Sequence, residues 1–181
     1  NTGQVQNTRT LTIADFDKSS SEKRFWVIDL EEKKLLHQSL VAHGKNSGWD
    51  IAEDFSNVIR SEKSSLGFFV TQNTYQGRHG LSLKLEGMDE DYNKNAYDRN
   101  IVVHGAEYVS EDFVKQYGRL GRSQGCPALP MKNYREIIQD IKDGSVLYLH
   151  ASKADYSSKL LDTEVAMNTF FKQPVPAYAY N

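Results

Sequence analysis

The sequence predicts a mostly β domain with one or a few helices. Runs that alternate between apolar and polar residues, or that are rich in β-branched residues, recur through the middle of the chain, whereas a single segment carries apolar residues at helical spacing. The 181 residues fit one domain, and 39% of them are hydrophobic, enough to bury a sizeable core. We therefore expect one domain with extensions at its ends.

The first predicted elements follow a polar start. Residues 1–23 are polar and weakly periodic, so we expect an N-terminal extension there, or a short helix leading into the domain. Residues 24–30 and 35–43 read as two antiparallel strands joined by a charged link, which predicts a β-hairpin. The segment 44–65 is polar and loop-like, and we interpret it as a flap over a cleft.

The remaining elements are strands and one helix. Three further strands are expected over residues 66–72, 80–85 and 100–104. The segment 134–142 has the apolar spacing of a helix, and Asp143-Gly144 ends that helix before a strand over 145–150. The domain is therefore expected to span residues 24–152, followed by a C-terminal extension over 153–181 that packs on or near it.

Charge and hydropathy exclude several classes of function. The chain has 22 basic and 24 acidic side chains and no block of like charge, which argues against a nucleic-acid partner. No stretch approaches the roughly 20 apolar residues of a membrane span. Residues 1–10 lack the basic start and apolar centre of a signal peptide, so we expect that any signal or anchor is not present in this sequence.

The only cysteine, Cys126, lies in a polar turn between a glycine and a proline. The nucleophilic form is the thiolate, and a free cysteine with a pKa of about 8.5 is only a few per cent ionised at neutral pH. It therefore needs a base or positive neighbours. His104 at the end of a strand can supply the base, and Arg119 and Arg122 lie close enough in sequence to add positive potential.

The residues just before the cysteine predict support for this chemistry. The amide hydrogens of Gly125 and Cys126 are expected to form an oxyanion hole, to which the Ser123 hydroxyl can contribute, with Gln124 in the same turn. The alternative is a structural role, because a single cysteine is often a small buried hydrophobe and a strand-end histidine is usually structural. The residues alone leave both interpretations open.

Other sites are weaker. One cysteine and five scattered histidines offer no close ligand pair, so we expect no metal. The glycines at 118, 121 and 125 match no phosphate-binding loop. His37, His43 and His150 fall in predicted strands and are expected to be structural.

Several ordered motifs together resemble a known family. His104-Gly105 followed by residues 123–126 resembles the HG…SxGC signature of L,D-transpeptidase catalytic domains, the YkuD-like murein enzymes. Residues 75–83, 85–88, 93–96, 99–106 and 121–128 look like the branch of that family in which Pro-Ala follows the cysteine. The resemblance covers roughly residues 24–150 and implies a YkuD-like β-sandwich or barrel-like fold with a cysteine loop at the cleft.

The resemblance also implies roles for individual residues. Cys126 would be the nucleophile and His104 its base, with the Gly105 carbonyl orienting the imidazole. Better-known members often carry an arginine shortly after the cysteine, but this sequence continues Pro-Ala-Leu, so the anchor for a substrate carboxylate must lie elsewhere. The candidates for that anchor are Arg99, Arg122, Arg78 and Arg119, with Arg99 and Arg122 slightly preferred. His79, Tyr75 and Tyr108 are candidates for lining the cleft.

The implied reaction is acyl transfer on peptidoglycan stem peptides in a periplasmic or cell-surface location. Cys126 would attack the carbonyl of meso-diaminopimelate, expel the terminal D-alanine and pass the acyl group to an amine, or to water in a carboxypeptidase reaction. The resemblance implies no metal or organic cofactor and leaves the oligomeric state open. A non-catalytic peptidoglycan-binding module and an L,D-endopeptidase that uses the same cysteine are the alternatives.

Overall fold

The computed structural model describes residues 5–152, 155–165 and 167, and a single sheet of eight strands dominates them. The strands are β1 Thr10–Asp15, β2 Phe25–Asp29, β3 Lys34–Ser39, β4 Gly67–Gly77, β5 Gly80–Gly87, β6 Val102–Ala106, β7 Ala128–Pro130 and β8 Val146–His150. The helices with assigned bounds are α1 Glu111–Tyr117, α2 Tyr134–Ile141 and two short 3-10 helices, Lys94–Ala96 and Lys159–Leu161.

The sheet is mixed and nearly closed. Its order is β3-β2-β1-β8-β4-β5-β6-β7, and neighbours are antiparallel except for the parallel pairs β1 with β8 and β6 with β7. Beyond β3, Ala42 forms a bridge to Ala128 of β7, and Gly44 forms another to Ser123. The two edges of the sheet therefore meet, which confirms the predicted mostly β, barrel-like fold. This closure brings the chain that follows β3 against the turn that holds the cysteine.

The first strand corrects the predicted start of the domain. Residues 1–23 were expected to be an extension, but Thr10–Asp15 forms β1 inside the sheet, between β2 and β8. Its most buried positions are Thr10, Thr12 and Ala14. Two polar residues and an alanine on the inner face give no apolar alternation, so the sequence pattern did not indicate a strand.

The other predicted strands and the predicted helix are confirmed within a few residues of their expected bounds, whereas α1 and β7 were missed. In α1, Ser110 caps the start by accepting a hydrogen bond from the Phe113 amide, and Gly118 ends the helix in the left-handed conformation. Because α1 buries none of its residues, it has no apolar stripe to detect. The three residues of β7 form a strand through their pairing with β6.

The main core lies between the sheet and α2. Ile137, Ile138 and Ile141 are fully buried on the helix face that packs on the sheet, and Tyr134 joins them at the start of the helix. Such burial contributes about 2 kcal/mol for each large aliphatic side chain. Among the described residues, none of the helices combines the length and the apolar composition that crossing a bilayer requires.

The described part of the C-terminal segment lies against a turn after β5. Asp89, almost fully buried there, accepts hydrogen bonds from the Phe68 amide at 2.7 Å, from the Tyr156 hydroxyl at 3.2 Å and from the Ser158 hydroxyl. The carboxylate thus links a strand to the segment that follows β8. Residues 168–181, which complete the predicted C-terminal extension, lie outside the described residues.

Candidate active site

Cys126 lies in a bend directly before β7, and its side chain is partly buried. The Sγ–H donates to the carbonyl oxygen of Asn100 at 3.6 Å, and the amide of Val102 also interacts with the sulfur. Asn100 has a left-handed backbone conformation, with φ of 54°, and turns the chain just before β6. The thiol is therefore held against the beginning of β6.

His104 lies on β6, and the residue is 3% exposed. Its Nδ1 lies 2.9 Å from the carbonyl oxygen of Gly105. Because a carbonyl only accepts, Nδ1 must carry the proton, and the lone pair is on Nε2. Nε2 makes no hydrogen bond to a described residue. The arrangement leaves one basic nitrogen free for proton transfer.

The pairing of β6 with β7 brings the chain segments of the two residues side by side. His104 pairs with Ala128 in the parallel β6–β7 ladder, so Cys126, two residues before Ala128, lies beside Val102. Side chains two residues apart on a strand point to the same face and are separated by about 7 Å. Within the described residues the thiol and the imidazole share no hydrogen bond, a separation that unliganded catalytic pairs often show.

Both groups are neutral at rest. Burial raises the pKa of the Cys126 thiol, and the Val102 amide and the positive charge of Arg99 only partly oppose it. Burial also lowers the pKa of His104, the Gly105 carbonyl opposes this, and His79 lowers it further. A neutral thiol beside a neutral imidazole suits proton transfer during attack rather than a preformed thiolate-imidazolium pair.

The cysteine turn is held by Ser123. Its Oγ accepts a hydrogen bond from the Gly125 amide at 3.0 Å and donates one to the Cys126 carbonyl at 2.6 Å. The expectation that the Gly125 amide and the Ser123 hydroxyl serve an oxyanion hole is corrected, because each is engaged within the turn. The amides of Gln124 and Cys126 have no hydrogen-bond partner among the described residues.

Glycine is required at position 125 for a close approach of two chain segments. Gly125 has φ of 116°, and a Cβ there would lie 2.7 Å from the carbonyl oxygen of Lys63. The Ser64 hydroxyl also donates to the Gly125 carbonyl at 3.3 Å. The cysteine turn and the segment 44–65, which was predicted to be a flap, are therefore packed directly against each other at Gly125.

The two arginines preferred as carboxylate anchors hold that same segment instead. Arg99 donates to the carbonyls of Ser56 and Lys63 and to the hydroxyls of Ser61 and Ser65. Those four contacts engage both terminal nitrogens of its guanidinium, whose remaining contribution to the site is positive potential near the thiol.

Arg122 donates to the carbonyls of Lys45 and Gly48, each at 2.9 Å. Its guanidinium lies 4.5 Å from the ring centroid of Trp49, and that of Arg119 lies 3.8 Å from the same ring. The expected positive potential from Arg119 and Arg122 at the cysteine is corrected, because the contacts of these side chains are with the Trp49 region and Arg99 is the arginine whose charge acts on Cys126.

The remaining predicted residues line two cavities whose walls include neighbours of Cys126 and His104 but not those two residues themselves. Arg78 and His79 form the tip of the β4–β5 hairpin, and the His79 ring stacks on His104 with centroids 4.4 Å apart. They border a cavity of about 400 Å³ that also includes Gly105. Tyr75 borders a second cavity of about 330 Å³, which reaches Asn100, Val102 and Lys84. The sizes suit peptide-sized groups.

Sequence reasoning gave too little weight to Tyr108 and did not single out Asn100 or Lys84. Burial raises the pKa of Tyr108 to about 12, and the charge of Cys126 as a thiolate adds to that rise, so the Tyr108 hydroxyl remains protonated. Asparagine favours the left-handed conformation found at Asn100, a signal that was present in the sequence. Nothing in the sequence marked Tyr108 as a neighbour of the cysteine.

A second buried histidine lies behind the cysteine turn. His43 Nδ1 accepts a hydrogen bond from the fully buried guanidinium of Arg24 at 2.7 Å, and its Nε2 lies 3.4 Å from the Gly48 carbonyl. The backbone carbonyl of His43 accepts the Ser123 amide at 2.9 Å. The Arg24–His43 pair therefore supports the start of the cysteine turn from inside the protein.

A cluster of potential metal ligands lies away from the cysteine in the described part of the chain. Asp15, Asp17 and His150 have potential ligand atoms within 4.8 Å of one another. Asp17 accepts the Ser152 amide with both oxygens at 2.9 Å, which accounts for its position without an ion. None of the three residues borders either cavity beside the cysteine.

Comparison with known proteins gives a consistent result. A family model described as the L,D-transpeptidase catalytic domain matches residues 1–150. No curated protein matches the sequence at a significant level.

Solved structures resemble this one in fold. An L,D-transpeptidase from Mycobacterium smegmatis aligns with a TM-score of 0.50 and 15% identity over 79% of this chain and 59% of its own. The helical cell shape determining protein Pgp2 of Campylobacter jejuni, as the K307A mutant, aligns with a TM-score of 0.51 and 12% identity over 85% of this chain and 51% of its own. The chain thus spans between half and three fifths of these proteins.

Proposed function

Because the chain belongs to the L,D-transpeptidase catalytic domain family, we propose that it carries out cysteine-dependent acyl transfer on peptidoglycan stem peptides. The observation that carries the proposal is the fixed tautomer of His104, whose Nδ1 is committed to Gly105 while Nε2 makes no hydrogen bond to a described residue, close in the chain to the backbone that contacts the Cys126 thiol. A base with a free nitrogen beside a nucleophile is the minimum that acyl transfer through a thioester requires.

In the first half of the reaction, Cys126 attacks the carbonyl carbon of meso-diaminopimelate in a tetrapeptide stem. Nε2 of His104 takes the thiol proton as the carbon–sulfur bond forms, which the neutral state of both groups favours. The same nitrogen returns the proton to the amine of the terminal D-alanine as the carbon–nitrogen bond breaks. The products are free D-alanine and a thioester on Cys126.

In the second half, an amine attacks the thioester. His104 removes the proton from that amine, the carbon–sulfur bond breaks, and the sulfur regains a proton, leaving an L,D peptide bond. Water in place of the amine gives a shortened stem, which is the carboxypeptidase outcome. The amide of Cys126, which has no hydrogen-bond partner among the described residues, is a donor that can stabilise the oxyanion in both halves.

The site has the features expected for two peptide substrates. One cavity adjoins Asn100 and Val102, which contact the sulfur, and the other adjoins His79 and Gly105, which contact the imidazole. Stem peptides lie outside the cytoplasm, so the proposed reaction implies a periplasmic or cell-surface location.

The test is mass spectrometry of products after incubation with purified disaccharide-tetrapeptides, with and without a D-amino acid. The wild-type protein is expected to form dimers or to exchange the terminal D-alanine, and Cys126→Ala is expected to form neither. Lys115→Ala, which removes a 75% exposed side chain on α1, serves as the matched control. Circular dichroism confirms that each variant is folded.

Other outcomes separate the alternatives. Cysteine-dependent formation of tripeptide alone indicates a carboxypeptidase, and cysteine-dependent cleavage of crosslinked dimers indicates an L,D-endopeptidase. If Cys126→Ala binds stem peptides as well as the wild type does and neither protein forms product, the proposal is wrong and the domain is a peptidoglycan-binding module.

A further inference from the structure

The cavity that adjoins Asn100 and Val102 contains a cation that has no ion-pair partner in the described part of the chain. Lys84 lies on β5 and is half-buried, and it lines the cavity of about 330 Å³ together with Asn100 and Val102. The backbone of those two residues contacts the Cys126 sulfur. A positive charge therefore lies in the space that opens beside the nucleophile.

The surroundings of Lys84 provide two aromatic rings but no carboxylate. Its Nζ lies 5.6 Å from the ring centroid of Tyr75 and 5.3 Å from that of Tyr97. No carboxylate among the described residues lies within ion-pair distance of it, and Glu86, two residues along β5, accepts instead from the side chain of Gln72 at 2.9 Å. Two aromatic rings displace water from an ammonium without neutralising it, which strengthens its attraction for an anion.

The sheet register indicates that one ligand can contact both Lys84 and the Cys126 sulfur. Lys84 pairs with Val102 across β5 and β6, and Cys126 lies on the far side of β6. Adjacent strands are about 4.8 Å apart, so the backbone of Lys84 is about 10 Å from that of the cysteine. That span suits a ligand with one reacting carbonyl at the sulfur and one carboxylate at the ammonium.

We propose that Lys84, with the hydroxyls of Tyr75 and Tyr97, binds a carboxylate of the donor stem peptide. Neither tyrosine hydroxyl has a hydrogen-bond partner among the described residues, so each is free to donate to the same anion. The site takes over the role expected of Arg99 and Arg122, whose guanidinium groups are engaged with the segment 44–65. This inference rests on the proposed function and adds to it the group that positions the donor.

The donor, rather than the acceptor, is assigned to this cavity because its walls contact the sulfur. The other cavity adjoins the imidazole, where an incoming amine must lose its proton. A stem tetrapeptide offers two carboxylates, the side-chain group of diaminopimelate and the terminal group of D-alanine. Either has the charge and the planar acceptor pair that Lys84 and the two tyrosines would recognise.

The experiment measures donor and acceptor kinetics for the wild type, Lys84→Met and Lys84→Arg, with Lys115→Met as the matched control. Methionine keeps the length of the side chain and removes the charge. Lys84→Met is expected to raise the donor KM about tenfold, as loss of a hydrogen bond between charged groups does, while kcat and the acceptor KM stay within twofold. Lys84→Arg is expected to restore most of the affinity.

Two amidated donors identify the carboxylate. Amidation of the group that Lys84 binds is expected to weaken the wild type about tenfold and to leave Lys84→Met unchanged, because the charge pair is already absent. Amidation of the other group is expected to affect both proteins equally. If both amidated donors lose affinity equally in wild type and Lys84→Met, or if Lys84→Met keeps the wild-type donor KM, the inference is wrong.

Binding measurements keep this inference separate from the proposed function. Calorimetric titration of the Cys126→Ala protein, with and without Lys84→Met, gives the dissociation constant of the tetrapeptide without any turnover. Equal dissociation constants overturn the role of Lys84 whatever the reaction is. A tenfold difference without product formation by the wild type supports the role of Lys84 as a carboxylate site and overturns the transpeptidase proposal alone.

Discussion

The two buried histidines, His43 and His104, make opposite use of the same ring. His43 accepts at Nδ1 from Arg24, a side chain that can only donate, so its proton is on Nε2, which faces the Gly48 carbonyl. His104 donates from Nδ1 to the Gly105 carbonyl, so its lone pair is on Nε2, which has no partner among the described residues. Both nitrogens of His43 are engaged, and one nitrogen of His104 is left for chemistry.

The difference shows that burial alone does not distinguish a structural histidine from a chemical one. Burial lowers the pKa of His43 to about 4 and also lowers the pKa of His104, so both rings are neutral at pH 7. The partner of Nδ1 decides the tautomer, and the tautomer decides which nitrogen is basic. The carbonyl of Gly105 binds the proton on Nδ1 of His104 and so leaves Nε2 as a base. The guanidinium of Arg24 occupies Nδ1 of His43 instead, and this hydrogen bond links the residue before β2 to the support of the cysteine turn.

The largest expected effect comes from removing the free nitrogen. His104→Gln is expected to reduce the rate of Cys126 acylation about 10²–10⁴-fold, because the substitution removes the general base. His43→Gln is the matched comparison and is expected to lose stability rather than chemistry per folded molecule. Acylation is followed by mass spectrometry and scaled to the folded fraction. Equal loss in the two variants would mean that the tautomer of His104 has no special role.

The next effect concerns the buried pair behind the turn. Arg24→Met leaves His43 Nδ1 and the carbonyls of Lys18 and Val41 without their donor, and we expect it to lower the free energy of unfolding by about 3 kcal/mol. Urea denaturation measures this loss. The control is Arg60→Met, at an exposed arginine, which is expected to change the free energy by less than about 0.5 kcal/mol. Similar values for the two variants would contradict the assigned role of Arg24.

A comparable effect is expected from pH, and its sign follows from the lowered pKa of His43. Between its ordinary pKa of 6.5 and its folded pKa of about 4, the unfolded chain binds a proton that the folded chain does not. The stabilisation is therefore complete above pH 6.5 and is lost as the pH falls towards 4, by about 3 kcal/mol in total.

Urea denaturation at several pH values across this window tests that sign. His43→Asn is expected to be less stable at pH 7 but to lose less stability on acidification than the wild type does. His104 contributes with the same sign, because burial lowers its pKa too. An unchanged slope in His43→Asn would show that this histidine does not titrate as the buried pair predicts.

The smallest effect separates His104 from its stacked neighbour. A proton on His79 disfavours one on His104, so His79→Ala is expected to raise the pKa of His104 and to move the acid limb of the acylation rate to higher pH. His79 is exposed, and its removal is expected to change the free energy of unfolding by less than about 0.5 kcal/mol. A shift of the acid limb to lower pH would contradict this assignment.

Much of the fold was predictable because its signals are local. In β5, Leu81, Leu83 and Leu85 alternate with polar residues in the sequence and are buried in the sheet, and the isoleucines of α2 repeat at the helical spacing that buries them. β1 was not predictable, because its buried face carries Thr10, Thr12 and Ala14 and its place between two strands depends on residues far away in the chain. A central strand with so few apolar residues is identified only once its pairing with β2 and β8 is known.

The candidate site was predictable in part for a similar reason. The turn around Cys126 and the His104-Gly105 pair are short motifs whose chemistry is visible in their residue types. The roles of the arginines were not visible, because a guanidinium serves equally as a substrate anchor or as a donor to backbone carbonyls. Arg99 and Arg122 were favoured as anchors, whereas their contacts fasten the segment 44–65.

The sequence by itself determined the mostly β class, the family and the choice of a cysteine with a histidine, because these depend on residue identity and on short-range periodicity. The tertiary structure alone decided which nitrogen of His104 is basic, which cation has no ion-pair partner among the described residues, and where the sheet closes. Those properties depend on which groups meet across strands distant in the chain. A hydrogen bond to Gly105, to Arg24 or to Ser56 changes what a side chain can do without changing what it is.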